Sequence, residues 1–153
     1  MDSAVLLHNP KHGENVGGAI RACAAFAVPV LRWTGGRVLN SKRVARYGRL
    51  VQDENGSVDY GQDTQAFDAL VAAGLTPIAV ELGGDTTSLP TFVHPERAFY
   101  VFGPEDSSLS KELCERCEAH VEIPTRRCLN LAAAVNVVLY DRTAKLAAQR
   151  AYA

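Results

Sequence analysis

The chain has 153 residues, 47% of them hydrophobic and 22% charged, a composition that supports a buried core and excludes a disordered or fibrous chain. Lys plus Arg number 16 against 17 for Asp plus Glu, a formal net charge of -1, so the whole-molecule field selects neither acidic nor basic partners and any nucleic-acid binding must come from a local patch. No apolar run reaches the roughly 18 residues of a membrane span, the start lacks the features of a secretory signal, and Cys23, Cys114, Cys117 and Cys128 are too scattered for a disulfide framework; a single cytoplasmic domain over residues 1–153 with reduced thiols is expected.

Ser3 to His8 is a short apolar run before the turn-rich Asn9-Pro10-Lys11-His12-Gly13, which suits a buried strand leaving a sheet. Val16 to Ala27 carries apolar residues at helical spacing with Asn15 as the expected N-cap and Pro29 closing the segment. Val28–Trp33, Thr76–Leu82, Ala98–Phe102 and His120–Ile123 read as further strands. Between them, Asp63–Ala73 and Ser108–Ala119 read as helices, the second capped by Ser107 or Ser108, and Asn130–Ala148 as a long final helix. The first half of that last helix is apolar on most faces, which calls for burial inside the domain or against another subunit. The alternation predicts an α/β fold with a mainly parallel sheet and helices on both faces.

Asn15-Val16-Gly17-Gly18-Ala19-Ile20-Arg21 opens a helix with a polar residue, a glycine pair and an arginine. Helix N–H groups attract anions and glycine admits a phosphate to the backbone, but the same glycines also suit tight helix–strand packing. The segment is neither a P-loop nor a dinucleotide fingerprint. Phe102-Gly103-Pro104-Glu105 follows a strand at the sheet edge where open parallel sheets bind ligands; Gly103 would admit a ligand to the backbone and Glu105 would present a carboxylate. An ordinary turn with an acidic helix cap at Asp106-Ser107-Ser108 is the plain alternative. In Ile123-Pro124-Thr125-Arg126-Arg127-Cys128-Leu129-Asn130-Leu131, the Asn130 amide can cap the last helix or orient a polar neighbour.

Asn15–Arg21, Val101–Glu105 and Ile123–Asn136, in this order and spacing, resemble the three motifs of the TrmH-like branch of the SPOUT RNA methyltransferases, and the resemblance runs nearly from end to end. Residues 1 to 150 would then form a bare catalytic domain similar to the small enzymes that methylate the tRNA wobble ribose. The resemblance implies a C-terminal trefoil knot, a homodimer, and S-adenosylmethionine held against the backbone of Glu81, Leu82, Gly103, Ile123, Cys128 and Leu129. It implies RNA ribose 2′-O-methylation, with tRNA as the expected acceptor. Arg21 matches the motif arginine; because arginine stays protonated, it is expected to stabilise the developing alkoxide, with a general-base role left open. Asn15, Glu105 and Asn130 match the polar positions that shape that catalytic site. Cys128 stands where many relatives carry serine; a packed thiol is favoured over a catalytic one, since no base is spaced beside it.

Arg32, Arg37, Lys42, Arg43, Arg46 and Arg49 form a stretch without acidic residues, interleaved with Trp33 and Tyr47. Cations for phosphates and aromatic faces for unstacked bases suit RNA, and Arg126 and Arg127 would extend the surface. Cys114-Glu115-Arg116-Cys117 with His120 lacks the second ligand pair of a structural zinc, so ordinary helix thiols and no metal are expected. Tyr140-Asp141-Arg142 is assigned to packing or dimer contacts. Two alternatives stay open: an rRNA 2′-O-methyltransferase, and a catalytically silent knotted RNA-binding protein. A nucleotide-binding regulator without an RNA role would leave the basic stretch unexplained.

Overall fold

A computed structural model describes residues 1–38, 41–46 and 58–151. Its elements are β1 (Ser3–Leu7), α1 (Gly13–Ala25), β2 (Val30–Trp33), β3 (Asp59–Gln62), α2 (Ala66–Ala72), β4 (Thr76–Val80), β5 (Thr87–Ser88), β6 (Ala98–Phe102), α3 (Lys111–Glu115), β7 (Ala119–Glu122) and α4 (Leu131–Ala151), with a 3-10 turn at Leu89–Thr91. Residues 42–46 add one short helical segment. The strands form one seven-stranded sheet in the order β3-β2-β1-β6-β4-β7-β5, and its pairings are parallel throughout.

Strand side chains alternate between the two faces. Val5, Leu7, Ile78, Tyr100 and Phe102 pack with Val16, Ala19, Ile20 and Cys23 of α1 and with Leu131, Val135, Val138 and Leu139 of α4. Ala4, Leu6, Ala79, Phe99 and Val101 point the other way, onto Ala66, Phe67 and Leu70 of α2 and onto Leu109. With both faces covered, the central strands are continuous apolar runs rather than alternating ones, as parallel strands require. Among the described residues no helix is long and apolar enough to cross a membrane.

The sequence places the central strands well and the ends of helices less well. The first helix begins at Gly13, with His12 rather than Asn15 at the N-cap position and no side-chain cap. The helix expected at Ser108–Ala119 is reduced to Lys111–Glu115, capped by Ser110 accepting from the Leu113 N–H. It ends early because the Glu118 N–H is taken by the Pro77 carbonyl at 2.9 Å, which draws the chain into β7. Strands β3 and β5 were not expected; both lie at sheet edges.

Gly18 of the glycine pair serves helix packing. A Cβ on Gly18 would stand 2.7 Å from the Ala132 Cβ, so α1 and α4 approach as closely as they do because nothing projects there. The partner is a helix, not the strand that the sequence suggested. Further along α4, the buried Arg142 donates to the carbonyls of Pro95, Glu96 and Asp2. His94 is buried between Tyr100 Oη at 2.6 Å and Asp141 Oδ2 at 2.8 Å. Asp141 and Arg142 therefore fasten the last helix to the segment before β6, which is packing within the chain.

Candidate functional site

The loops leaving β1, β6 and β7 converge at the carboxyl edge of the sheet, where the strand order turns outward from β1 to both sides. Asn15, in the first turn of α1 and 7% exposed, donates from Nδ2 to Glu105 Oε1 at 2.7 Å. Its Oδ1 accepts from Asn130 Nδ2, also at 2.7 Å. Asn130 Oδ1 in turn accepts from the Ala132 and Ala133 N–H groups at 3.0 and 3.3 Å and caps α4. Glu105 also takes the Lys11 N–H at 2.7 Å and the His12 N–H at 3.2 Å. Burial alone would raise the Glu105 carboxyl, but the hydrogen bonds from Asn15 and from the N–H groups of Lys11, Glu105 itself and His12 outweigh it and hold the carboxyl below its ordinary value. An ionised carboxylate with both oxygens engaged is a poor base. Asn15, Glu105 and Asn130 tie the start of α1, the loop after β6 and the start of α4 together.

Beside this cluster lies a cavity of about 420 Å³, within the range of roughly 300–1,000 Å³ usual for small-molecule sites. Glu81, Leu82, Gly103, Ile123, Cys128 and Leu129 all line it, together with Val80, Phe102, Asp106, Leu131 and Ala134. Its polar groups are the carboxylates of Glu81, Glu105 and Asp106 and the hydroxyls of Ser107, Ser108 and Thr125; among the described residues no Lys, Arg or His lines it. A triphosphate would meet three carboxylates and no basic side chain there. An apolar ring system with a cationic group suits it. The space above Gly103 is filled by protein: a Cβ there would come within 3.0 Å of Glu81 Oε1 and 3.3 Å of the Leu109 nitrogen. Cys128 is exposed at the cavity lip.

Arg21 is exposed on α1 and does not line the cavity. Six residues beyond Asn15, its direction differs from that of Asn15 by about 120° around the helix, so a single chain does not bring it into the Asn15–Glu105–Asn130 cluster.

The basic residues divide into engaged and open ones. Arg32 donates to the Asp59 carbonyl at 2.7 Å and pairs with the Asp59 carboxylate, bracing β2 against β3. Arg37 forks onto Asp106 at 3.1 and 2.7 Å, and Arg43 pairs with Glu14. Lys42 and Arg46 are exposed on the segment whose Ser41 packs against Gly13 at the start of α1. Arg126 and Arg127 are exposed in the loop that borders the cavity. Trp33 is 6% exposed in the core, so it cannot stack on a base as its place in the basic stretch suggested. Tyr47 and Arg49 lie outside the described residues.

Asp106, which the sequence offers only as part of an acidic helix cap, instead pairs with Arg37. The Arg37 hydrogen bonds, with Lys11 Nζ 3.4 Å away, hold its carboxyl far below the usual carboxylate range, and the pair ties the 35–37 turn to the cavity wall. Its place directly after Glu105 was the available signal. In the Cys114/Cys117 segment, Cys117 donates to the Leu113 carbonyl at 3.4 Å and His120 bonds the Cys114 carbonyl at 2.9 Å. Burial pushes the Cys117 thiol up to about 12. Among the described residues no group of three potential ligands could hold a metal ion.

Comparison with known proteins agrees with this geometry. The chain is 32% identical over 166 aligned residues to the tRNA (cytidine/uridine/adenosine-2′-O-)-methyltransferase TrmJ of Pseudomonas aeruginosa, covering 95% of this chain and 62% of the relative. It is 28% identical to the tRNA (cytidine-2′-O-)-methyltransferase TrmJ of Methanocaldococcus jannaschii, covering 90% of this chain and 66% of the relative. The chain thus spans about three-fifths to two-thirds of the length of these curated relatives. A solved structure, concerned with 2-OH methylation of C/U34 on tRNA, superposes with a TM-score of 0.80 at 27% identity, covering 95% of this chain and 97% of that one. The model of the SpoU rRNA Methylase family matches residues 2–140, a span that takes in α1, the loop after β6 and the start of α4. With the parallel sheet, the cavity and the matched span in agreement, the chain belongs to the SpoU methylase family.

Proposed function

We propose that this chain is the catalytic domain of an S-adenosylmethionine-dependent RNA ribose 2′-O-methyltransferase acting on tRNA. The observation that carries the reading is the cavity wall: apolar side chains, the acidic residues Glu81, Glu105 and Asp106, and no basic side chain among the described residues. When bound there, the cofactor would supply an electrophilic methyl group on a cationic sulfonium. Val80, Ile123, Leu129, Leu131 and Ala134 would hold its adenine by apolar contact and keep water from it. Glu105 and the two asparagines would fix the walls, so that the acceptor hydroxyl meets a preset geometry; positioning is the larger part of this chemistry.

Arg21 would stabilise the alkoxide that develops as the 2′-hydroxyl loses its proton. Because it stands apart from the cavity within one chain, we assign the complete site to a homodimer. Support comes from the side of the molecule where Phe26 and Tyr140 meet edge to face at 6.4 Å, with Tyr140 64% and Val137 37% exposed. The family match over residues 2–140 supports the trefoil knot that the resemblance implies. Lys42, Arg43, Arg46, Arg126 and Arg127 would receive RNA phosphates, while Arg32 and Arg37 serve first as internal ties. The tRNA 2′-O-methyltransferase activity of the TrmJ relatives supports the acceptor.

Calorimetry with S-adenosylmethionine and with ATP tests the cofactor, and mass mapping of nucleosides in RNA from cells with and without the gene tests the acceptor. Binding of the methyl donor but not ATP, with one 2′-O-methylnucleoside missing from tRNA, is expected. Binding of ATP alone would overturn the reading, and a nucleoside missing from rRNA would move the acceptor.

A further inference from the structure

We propose that the side-chain carboxylate of Glu81 is itself a ligand-reading group, accepting the vicinal hydroxyls of an adenosyl ribose. The proposal rests on the cofactor reading above and deepens it from a backbone contact to a specific recognition.

Glu81 directly follows β4, whose neighbours are β6 and β7, so it stands at the carboxyl edge in the interior of the sheet. Its own N–H continues the ladder onto the Val121 carbonyl at 3.1 Å, which fixes the direction in which the side chain leaves. The Leu109 N–H donates to Glu81 Oε1 at 2.6 Å. Gly103 leaves that oxygen its room, because any Cβ at residue 103 would reach within 3.0 Å of it. The segments after β4 and β6 therefore lock one carboxylate oxygen, and Gly103, besides lining the cavity, leaves that carboxylate its room.

The other oxygen is what remains to be used. Glu105 and Asp106 also line the cavity, but both oxygens of each are already taken by protein donors. Glu81 Oε2 has no protein partner among the described residues, although the side chain is half-buried on a wall that includes Val80 and Phe102. The protein provides this carboxylate a single N–H, and Oε2 stays accessible on the cavity wall, where an entering ligand can donate to it. A sugar diol offers two O–H donors without bringing a second charge to that wall. Acidic residues at strand ends in parallel sheets take ribose hydroxyls for the same reason. The apolar side chains on the same wall would carry the attached base.

The test is calorimetry on wild type and Glu81→Gln with three ligands: 5′-methylthioadenosine, which has the diol but no aminoacyl group, its 2′-deoxy counterpart, and S-adenosylhomocysteine. The glutamine keeps the Leu109 bond through its amide oxygen. Wild type should bind 5′-methylthioadenosine roughly tenfold more tightly than the deoxy compound. Glu81→Gln should lose about the same factor for 5′-methylthioadenosine and S-adenosylhomocysteine and no longer distinguish the deoxy compound. Equal wild-type affinity for the diol and deoxy ligands would overturn the proposal without any variant having to fold. A loss confined to S-adenosylhomocysteine would also overturn it, assigning the carboxylate to the ammonium end. If wild type bound none of the three, the cofactor reading itself would fall, and this inference with it.

Discussion

Asn130 donates its amide to Asn15 across a sequence separation of 115 residues, and this one bond sets the direction of every other bond in the cluster. Asn130 Oδ1 is committed to the open N–H groups of α4, so its nitrogen must face Asn15. Asn15 must then present oxygen to Asn130 and nitrogen to Glu105. A helix start, an amide relay and a carboxylate form one polarised chain.

Replacing Asn130 with aspartate separates its two duties. Asn130→Asp keeps a good helix cap but turns the donor toward Asn15 into an acceptor. Asn15 then meets oxygen with oxygen, at that end or, if its amide rotates, at Glu105. The expected result is unchanged helix content by circular dichroism and methyl transfer reduced by roughly tenfold or more, the scale of one lost bond to a charged group. Transfer within twofold of wild type would mean that the relay does not position the site.

Gly18→Ala weighs two opposed effects of known size. Alanine favours a helix over glycine by about 0.8–1 kcal/mol, but its methyl would meet the Ala132 methyl at 2.7 Å, and overpacking costs about 1–3 kcal/mol. A net destabilisation of about 1 kcal/mol is expected from urea unfolding. A more stable variant would mean that α1 and α4 can part without loss.

The core strands were legible because β1, β4 and β6 are nearly unbroken apolar runs of a kind that only buried parallel strands sustain. Asp59-Tyr60-Gly61-Gln62 and Thr87-Ser88 carried no such signal; they are strands because β2 and β7 offer a free edge, which is information held by the neighbours. Asn15 before an apolar helical run resembles a cap in any sequence, and only the placement of Glu105 and Asn130 shows that its amide is spent elsewhere. The cavity residues were reached through the family motifs. What occupies the space over Gly103 could not be read, since the Glu81 carboxylate arrives from a different strand.

Acid should loosen the attachment of α4. Burial depresses the pKa of His94 more than the hydrogen bond and charge of Asp141 raise it, and Lys145 and Arg142 depress it further. The folded state therefore binds that proton less readily than the unfolded chain, and stability falls as pH drops below the ordinary value of 6.5 toward the lower folded value. Structurally, a second ring proton would face the Tyr100 hydroxyl, which now donates to Nδ1. His94→Gln, which cannot take up a proton, should lower the melting temperature overall yet flatten its decline from about pH 7 to 5. His8, also depressed by burial, keeps part of that slope. An equal decline in both proteins would place the titration elsewhere.

Glu105 acts in the same direction as His94, but over the carboxylate range of pH. Held below its ordinary value, its ionised form contributes stability above the unfolded pKa of 4.5, and that contribution disappears as pH falls through the folded value. Glu105→Gln sets an amide against the Asn15 amide and the Lys11 and His12 N–H groups. It should be less stable than wild type at neutral pH, and the two unfolding curves should converge in acid. A stability gap independent of pH would show that the carboxylate's charge is not what the three donors recognise.

The basic residues should not contribute equally to the proposed RNA surface. Each neutralised phosphate adds roughly 0.7 to 0.9 to the slope of log affinity against log salt, but a cation already paired with a carboxylate must first give up that partner. Arg43 is paired with Glu14 and Arg37 with Asp106, whereas Lys42 and Arg46 lie exposed on the same side of the α1 start. Filter binding of tRNA over a salt series should therefore show Lys42→Ala and Arg46→Ala each lowering the slope by about 0.7 to 0.9, and Arg43→Ala lowering it by less. Removing the competitor with Glu14→Ala should strengthen binding and steepen the slope, because Arg43 is then released to the phosphate. Slopes unchanged in all four variants would move the RNA surface away from the start of α1.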